Sequence, residues 1–567
     1  MEIPVSEWRG TLVFRGVNRR YQHLRRYRQI AETLLRHGFG YLLQQLDLVY
    51  LLPWRRRLFK LEQDDGSSRG RRLRLALEEL GPTFVKLGQM LSTRGDMISS
   101  DIIAELQRLQ DEVPGIQFPV VREQIEVELG CSLMDAFDGF QEHPIAAASI
   151  GQVHRAILHG QEVVVKVMRP GIDQVIETDL EILHGLARIV QERYSTEVFD
   201  PVDLIEEFAR EIRRELDYTI EARNAARFRD NLAHDAQVHI PRIFWSHTTG
   251  RILTMELIQG TKVNQIDTLK AKGIDLQAVA RRGATSFMEQ VMIHGFFHGD
   301  PHPGNILIED DGTMALIDFG IVGRLDKTTM ENLADLFIGI TKQDIPGIIE
   351  SLRVMAVFAS KVDLVELERD LDDMMFRYYG KVLADLSMSA IIEDLLNVTR
   401  KHGIRLPSDF ALLAKALLLI EGVGRTLDET FNIFEIAEPF ARDLLKERYR
   451  PDRIAQKALQ SSWKYGQLLM HLPTKLDTTL DLVNQDRLQV IFRHKGLEEL
   501  MVRLDIASNR LSFALIVAAL VIGSSFMVQS SRGPALFGLP VLGVAGFLIA
   551  AFFGIWLIIA IVRSGRI

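Results

Sequence analysis

Two short loops carry the residues best suited to chemistry. His298-Gly299-Asp300-Pro301-His302-Pro303-Gly304-Asn305 sets an aspartate and an asparagine five residues apart. Phosphoryl transfer uses that pairing: the carboxylate takes or orients the proton of an attacking hydroxyl or water, and the amide oxygen holds magnesium. Eighteen residues beyond Asp300, Asp318-Phe319-Gly320 follows the apolar run Ala315-Leu316-Ile317. A carboxylate at a strand end suits the other half of such a metal site. Asp300 is therefore the expected catalytic residue, Asn305 and Asp318 the metal ligands, and Mg2+ with ATP or ADP the cofactors. His294, His298 and His302 suggest zinc by the i, i+4 spacing of the first two. The hard oxygen donors around them favour magnesium.

Lys166 lies in the apolar run Val163-Val164-Val165-Lys166-Val167. A lysine there is costly to desolvate unless it is paired, and a phosphate and a helix glutamate are the partners that make sense of it. Glu215, Asp217 and Glu221 in EIRRELDYTIEARN are the candidates, and Glu221 is the expected partner. The interval from Lys166 to Glu221 is longer than in typical protein kinases and implies an extra helical piece at about 172–200. Ile145, Ala146, Ala147, Ala148, Ser149, Ile150, Gly151, Gln152 and Val153 stand where a phosphate-covering loop belongs. Alanines replace most of its glycines, which stiffens the loop and narrows the room beside the phosphates; Ser149, Gly151 and backbone N–H groups remain as contacts. With Lys166, Glu221 and Glu256 these residues make up the expected nucleotide-binding set.

The elements that must position them follow from periodicity. IAAASIGQVHRAIL and QEVVVKVMRP read as two strands turning at His159-Gly160, and VHIPRIFWSHTTGRILTMELIQG as two more turning at Thr249-Gly250. Residues 172–234 and about 276–295 read as helical, and everything from Lys327 to about Asn484 is helix-like. The fold class is α+β: a protein-kinase-like two-lobed fold with an N-terminal helical extension and a C-terminal transmembrane helical hairpin. The expected division is basic amphipathic helices over 1–70, a helical extension over 71–140, a strand-rich lobe with a helical insertion over 141–257, a helical lobe over 258–450, an amphipathic linker over 451–510, and two spans over 511–562.

Leu511–Val528 and Val541–Val562 carry no charge. About 20 apolar helical residues cross a bilayer core, so the second run is ample and the first at the lower edge. Arg503 and Arg510 precede the pair, Arg563 and Arg566 follow it, and only Arg532 lies between, which puts both ends and the soluble part on the cytoplasmic side. Gly546, Ala550 and Gly554 recur every four residues and permit close helix approach.

Of the 567 residues 47% are apolar and 25% charged, as in ordinary globular protein, and the net charge of −8 argues against a nucleic-acid partner. Residues 1–74 run the other way, with 16 Arg or Lys against 7 acids. Arg55-Arg56-Arg57 and the arginines from Arg69 to Arg74 suit either anionic headgroups or a solvated helix face. The single cysteine, Cys131, excludes an internal disulfide and any multi-cysteine metal site. No early apolar run of the signal-peptide kind is present.

At these residues the sequence resembles the UbiB family of atypical kinase-like proteins, also called AarF or ADCK. Lys86-Leu87-Gly88-Gln89 is similar to its KxGQ motif, Ile145 to Val153 to its alanine-rich loop, and Glu215-Leu216-Asp217 to its ExD motif. Glu221, the His298–Asn305 loop and Asp318-Phe319-Gly320 match its helix glutamate, catalytic and metal motifs, and the two C-terminal spans suit its bacterial members. The resemblance implies that Lys86 and Gln89 lie over the place where a protein kinase binds its peptide, and that the alanine loop favours ADP over ATP. It implies an ATPase tied to membrane lipids and quinone precursors in ubiquinone biosynthesis, with biosynthetic enzymes as further partners, at the bacterial inner membrane. One reading of the residues agrees. After Asp318-Phe319-Gly320 the chain runs straight into a helical pattern, with no Ala-Pro-Glu and no stretch for an activation segment, so a peptide substrate has no platform. A small-molecule or lipid kinase and a nucleotide-binding scaffold remain the alternatives.

Overall fold

The computed structural model describes residues 25–41, 68–94, 97–109, 115–194, 200–358, 362–378, 387–448, 497–529, 535–536 and 539–563. Arg55-Arg56-Arg57, most of the basic N-terminal stretch, the linker over 451–496 and the turn at 530–534 lie outside the described residues. The chain forms two compact units, Met1–Lys457 and Ala458–Ile567.

In the first unit, β1 (Gly139–Phe140), β2 (Ala146–Ala147), β3 (Gly151–Leu158), β4 (Gln161–Met168) and β6 (Ile252–Glu256) make one sheet. Its order is β1-β3-β4-β6, and β2 pairs with β3. The β3–β4 turn has both His159 (φ 52°) and Gly160 (φ 74°) left-handed, the geometry that matches strand twist in a two-residue hairpin. Alternation along β4 sets the site. Val163, Val165 and Val167 face a core with Val121, Ile125, Phe137 and Ile252. Val164 and Met168 belong to the main core on the other side, and Lys166 shares their face because strand side chains alternate.

α1 (Arg69–Leu80) and α2 (Pro82–Leu91) precede the sheet, and α3 (Ile172–Tyr194), α4 (Pro201–Glu215) and α5 (Tyr218–Asn231) follow β4. The extra helical piece is thus α3, with α4 behind it. The motif EIRRELDYTIEARN is not one helix. Asp217 is extended (φ −130°, ψ 96°) and its side chain accepts from the Thr219 N–H, capping a new helix. An aspartate that bonds the backbone two residues on starts a helix better than it continues one.

β5 (Val238–His239) pairs in parallel with β10 (Met314–Leu316), not with β6 as a hairpin. A single bridge, Ile243 to Met255, is the link to β6. Pro241, which has no N–H to give a ladder, separates the two. β5, β10, β9 (Ile306–Ile308) and β7 (Thr261–Lys262) form a second sheet in that order, and β8 (Phe296–His298) pairs with β11 (Val322–Arg324). α6 (Leu276–Met292) leads into β8. Beyond β11 come α7 (Lys327–Lys342), α8 (Ile345–Met355), α9 (Leu364–Phe376), α10 (Met388–Lys401), α11 (Ser408–Leu427) and α12 (Ile433–Arg448). Part of the basic run at the start of α1 serves the protein itself: Arg74 pairs with Glu78 at 2.7 Å and Glu105 at 3.2 Å, and Arg72 lies over the Phe39 ring.

In the second unit α13 (Leu497–Gln529) and α14 (Val541–Arg563) lie antiparallel. A Cβ on Gly543 would strike Val528, and one on Gly546 would strike Ser524. Ala550 is buried, whereas Gly554 has only Val517 nearby, so the close approach is at the turn end of the pair. Ala507–Gln529 is the one described helix long and apolar enough to cross a membrane, because α13 begins well before Leu511. α14 is helical over Val541–Arg563, and its apolar stretch is described as far as Leu557.

Candidate functional site

Lys166 projects from β4 onto α5. Its Nζ lies 2.7 and 3.0 Å from the two carboxylate oxygens of Glu221 and 3.7 Å from Asp318 Oδ2. The face of α5 that makes this contact is continuous: Tyr218, Glu221, Ala222, Asn224, Ala225 and Phe228 are its buried residues. Asn224 Nδ2 donates to the Phe319 carbonyl at 3.0 Å, and the Phe228 ring packs on Phe319 and Phe296. One helix face therefore fixes the strand lysine and the Asp318-Phe319-Gly320 segment together. Asn224 escaped the sequence reading; its only signal was a polar residue on an otherwise buried helical stripe.

A short hairpin does the rest. β9 pairs antiparallel with β10 as Ile306 with Leu316, and the Ile317 N–H donates to the Asn305 carbonyl at 3.2 Å. The hairpin thus returns Asp318 to the side of Asn305. Asn305 Nδ2 donates to the Asp300 carbonyl at 3.1 Å, which leaves its Oδ1 for a cation. Asp318 Oδ1 accepts from the Gly320 N–H at 2.9 Å. His298 is fully buried on Phe319, its backbone N–H bonded to Gln290 and its Nδ1 accepting from the Asp300 N–H at 3.1 Å. Burial holds His298 below its usual pKa, so it serves as a neutral acceptor. His294 instead meets Glu289, and His302 accepts from the Gly304 N–H. Among the described residues no three His, Cys, Asp or Glu side chains converge as a metal cage. An aspartate plus an asparagine, completed by phosphate oxygens and water, is a donor set that fits magnesium.

The electrostatics match. Burial lowers the Lys166 ammonium, but Asp318 and Glu221 raise it further, so it stays charged. Burial raises Asp318, and Lys166 with the Gly320 N–H overrides it, holding the carboxyl at about 2. Burial pushes Glu221 up, with Lys166 pulling it back.

The alanine-rich loop is a tight turn. The Ile145 N–H donates to the Val153 carbonyl and the Ala148 N–H to the Gly151 carbonyl, each at 2.8 Å. Arg169 ties two of its carbonyls, Ile150 through its backbone N–H and Ala148 through Nε. Gly151 is required: a Cβ would lie 2.3 Å from the Tyr218 hydroxyl and 2.7 Å from the Val167 carbonyl. Ala146 and Ala148 face solvent, while Ser149 and Ile150 are buried. Two members of the expected set have side chains engaged elsewhere. Gln152 is buried on Ile116 and His154. The Glu256 carboxylate meets His239 at 3.4 Å and accepts from the Arg242 N–H.

Lys86 on α2 does not face solvent; it pairs with Glu215 at 3.1 Å. Gln89, one turn on, reaches the Leu109 carbonyl only at 3.5 Å. The Glu215-Leu216-Asp217 motif therefore divides its work, the glutamate holding Lys86 and the aspartate capping α5. One turn before Glu215, Glu211 is pushed up to about 7 by burial, then by Glu215 and Glu207, against Lys86 and Lys415. Its folded pKa lies above the ordinary 4.5, so the fold loses stability as pH rises from about 4.5 through 7. Glu211→Gln is expected to melt with wild type near pH 5 and above it at pH 8, by about 1 kcal/mol once partial exposure is allowed for. Parallel melting curves at the two pH values test this, and coincidence at both would refute it.

Beyond Gly320 the chain enters β11 and then α7, whose cap is Asp326. No long segment intervenes.

An ABC1 atypical kinase-like domain profile matches residues 108–352, which hold Lys166, Glu221, Asp300, Asn305 and Asp318. A UbiB helical domain matches 371–432, and an ABC1/UbiB kinase-like C-terminal domain matches 495–563. A Clostridium pasteurianum protein described only as uncharacterized, in the hydrogenase 1 5′ region, is 31% identical over 96% of this chain and 99% of its own. Two proteins named probable protein kinase UbiB are also similar. That of Aeromonas hydrophila is 35% identical over 81% of this chain and 86% of its own. That of Xylella fastidiosa is 38% identical over 72% and 74%. The mixed fold, the paired lysine and the two loops thus agree with sequence relatives that span most of the chain, and the chain belongs to the ABC1/UbiB family of atypical kinase-like proteins.

Proposed function

We propose that this kinase-like chain is a membrane-anchored, magnesium-dependent ATPase that couples nucleotide turnover to the handling of lipid precursors in ubiquinone or related quinone biosynthesis. The observation that carries the reading is the pairing of Lys166 with Glu221 and Asp318, together with the short hairpin that returns Asp318 to the side of Asn305 and Asp300. Lys166, kept charged by two carboxylates, grips phosphate oxygens. Asn305 and Asp318 hold magnesium, which when bound neutralises charge on the transferring phosphoryl. Asp300 orients the attacking water and takes its proton. The alanine-rich loop, pinned by Arg169, covers the phosphates. The short passage from Gly320 to α7 leaves no platform for a peptide, which favours hydrolysis over protein phosphorylation.

The two-lobed layout, with the alanine loop's sheet over the helical part and the site between, belongs to the same proposal. So do two membrane crossings by α13 and α14, with both ends cytoplasmic; the antiparallel packing at Gly543 and Gly546 and the flanking arginines support them.

The test is product analysis with the full chain in detergent, γ-labelled ATP, magnesium and a membrane lipid extract. Label is expected in free phosphate, at a rate the lipid stimulates. Label moving into a lipid would make the protein a lipid kinase. No Asp300-dependent release of either product, with quinone synthesis still supported by Asp300→Asn, would make it a scaffold.

A further inference from the structure

The catalytic loop has no lysine or arginine between Asp300 and Asn305. The cation found on Asp300 comes from 115 residues downstream: Lys415 Nζ lies 3.0 Å from Asp300 Oδ1. It stands on α11, in the part that matches the UbiB helical domain, outside the matched kinase-like domain. The contact is built. α11 presents Asp409, Leu412 and Lys415 at three-residue steps, which places them on one side of the helix. Asp409 accepts from the Arg324 N–H of β11 at 3.3 Å. Leu412 fills the space beside Gly299, where a Cβ would stand 2.8 Å from it. Lys415 then lands on the next residue of the loop. Its side chain is 23% exposed in the apolar stretch Ala411-Leu412-Leu413-Ala414-Lys415-Ala416-Leu417, a poor place for an ammonium without a task.

We infer that Lys415 is a positioning residue of the site: it points the Asp300 carboxylate at the attacking oxygen and offsets its negative charge as the phosphoryl group approaches. The inference rests on the hydrolase reading above. An acid facing three phosphates and no cation would be repelled from its own substrate; an ammonium at 3.0 Å removes that repulsion. It also makes the helical domain part of the catalytic apparatus, so that a movement of α11 would switch turnover without disturbing the nucleotide grip of Lys166.

The experiment compares Lys415→Met, Lys415→Gln and Lys415→Arg in the full chain, with Asp318→Asn as the inactive control. A cation acting through Asp300 affects kcat. Met and Gln are expected to lower it about 10- to 100-fold, on the scale of a positioned acid–base group. KM for ATP, the Kd for ADP and the melting temperature should stay near wild type, and Arg should recover most of the loss. Met and Gln variants within twofold of wild-type kcat, while Asp318→Asn is dead, would overturn the inference and spare the hydrolase reading. So would a loss of melting temperature in both, which marks a structural lysine. Equal hydrolysis by wild type and Asp318→Asn would fell the hydrolase reading, and the inference with it.

Discussion

Asp318→Asn is expected to cut magnesium-dependent ATP turnover by about 10³-fold or more, the scale on which losing one preorganised charge at a reacting centre acts. The substitution is close to isosteric, and an Asn oxygen can still accept from the Gly320 N–H, which bonds Asp318 at 2.9 Å. Lys166 keeps Glu221 at 2.7 Å. What disappears is the carboxylate charge of the proposed metal pair, so a magnesium ion held there would be left with two neutral amides and the phosphates. The cost to the fold is small and has a definite sign. Asp318 is held at about 2, below the ordinary 3.8, so its contribution to stability is present above pH 3.8 and lost as pH falls toward 2. At pH 7 the Asn variant forgoes that contribution, about 1 kcal/mol after discounting for its half-exposed side chain. A steady-state assay with and without EDTA, beside a melting curve, decides the matter. Turnover within threefold of wild type would remove Asp318 from the metal site.

The parts of this site that the sequence announced are those with local chemistry. Asp300 and Asn305 share one loop, Asp318 follows one short hairpin later, and a lysine inside a valine run must find an acid. Glu221 was legible for that reason: burial without a partner is too costly, and few acids stood at the right distance along a helix. What was not legible is set by tertiary contacts. Asp217 looks like one more residue of a helix until its side chain is seen capping the next. The ladder expected between residues 238 and 256 fails at Pro241, and β5 turns instead to β10. Lys415 looks like a stray charge on an apolar helix, because its partner is 115 residues away and the docking of α11 on Gly299 has no periodic signature. Gln152 and Glu256 have tertiary partners that nothing in the sequence announces. Both border the expected nucleotide site in sequence, yet their side chains are engaged with Ile116 and His239.

Lys166→Met should make stability fall more steeply with rising pH through the neutral range than it does in wild type. In wild type the ammonium's pKa is raised above 10.5. Its stabilising contribution is therefore complete below pH 10.5 and declines only at higher pH, so it is constant between pH 5.5 and 8. Methionine keeps the aliphatic bulk against Tyr218 but strands Glu221, whose side chain is only 7% exposed, beside the carboxylate of Asp318. Breaking a buried pair from one side costs about 3–5 kcal/mol when the remaining charge cannot escape. Glu221 can escape by taking a proton. Burial already pushes it above 4.5, and loss of the lysine removes the largest force pulling it down. The folded variant then binds a proton that the unfolded chain has released, so its stability falls as pH rises through the neutral range. Thermal midpoints of the full chain should show a deficit against wild type that is larger at pH 8 than at pH 5.5, by about 1 kcal/mol or more for each unit by which Glu221 has moved. Lys166→Met/Glu221→Leu, which removes both partners, should regain much of the loss and bring the pH dependence back toward that of wild type, because no buried carboxylate is left stranded at position 221. A deficit equal at both pH values, or a double variant worse than the single one, would show that the pair does not hold the strand and helix together as its geometry requires.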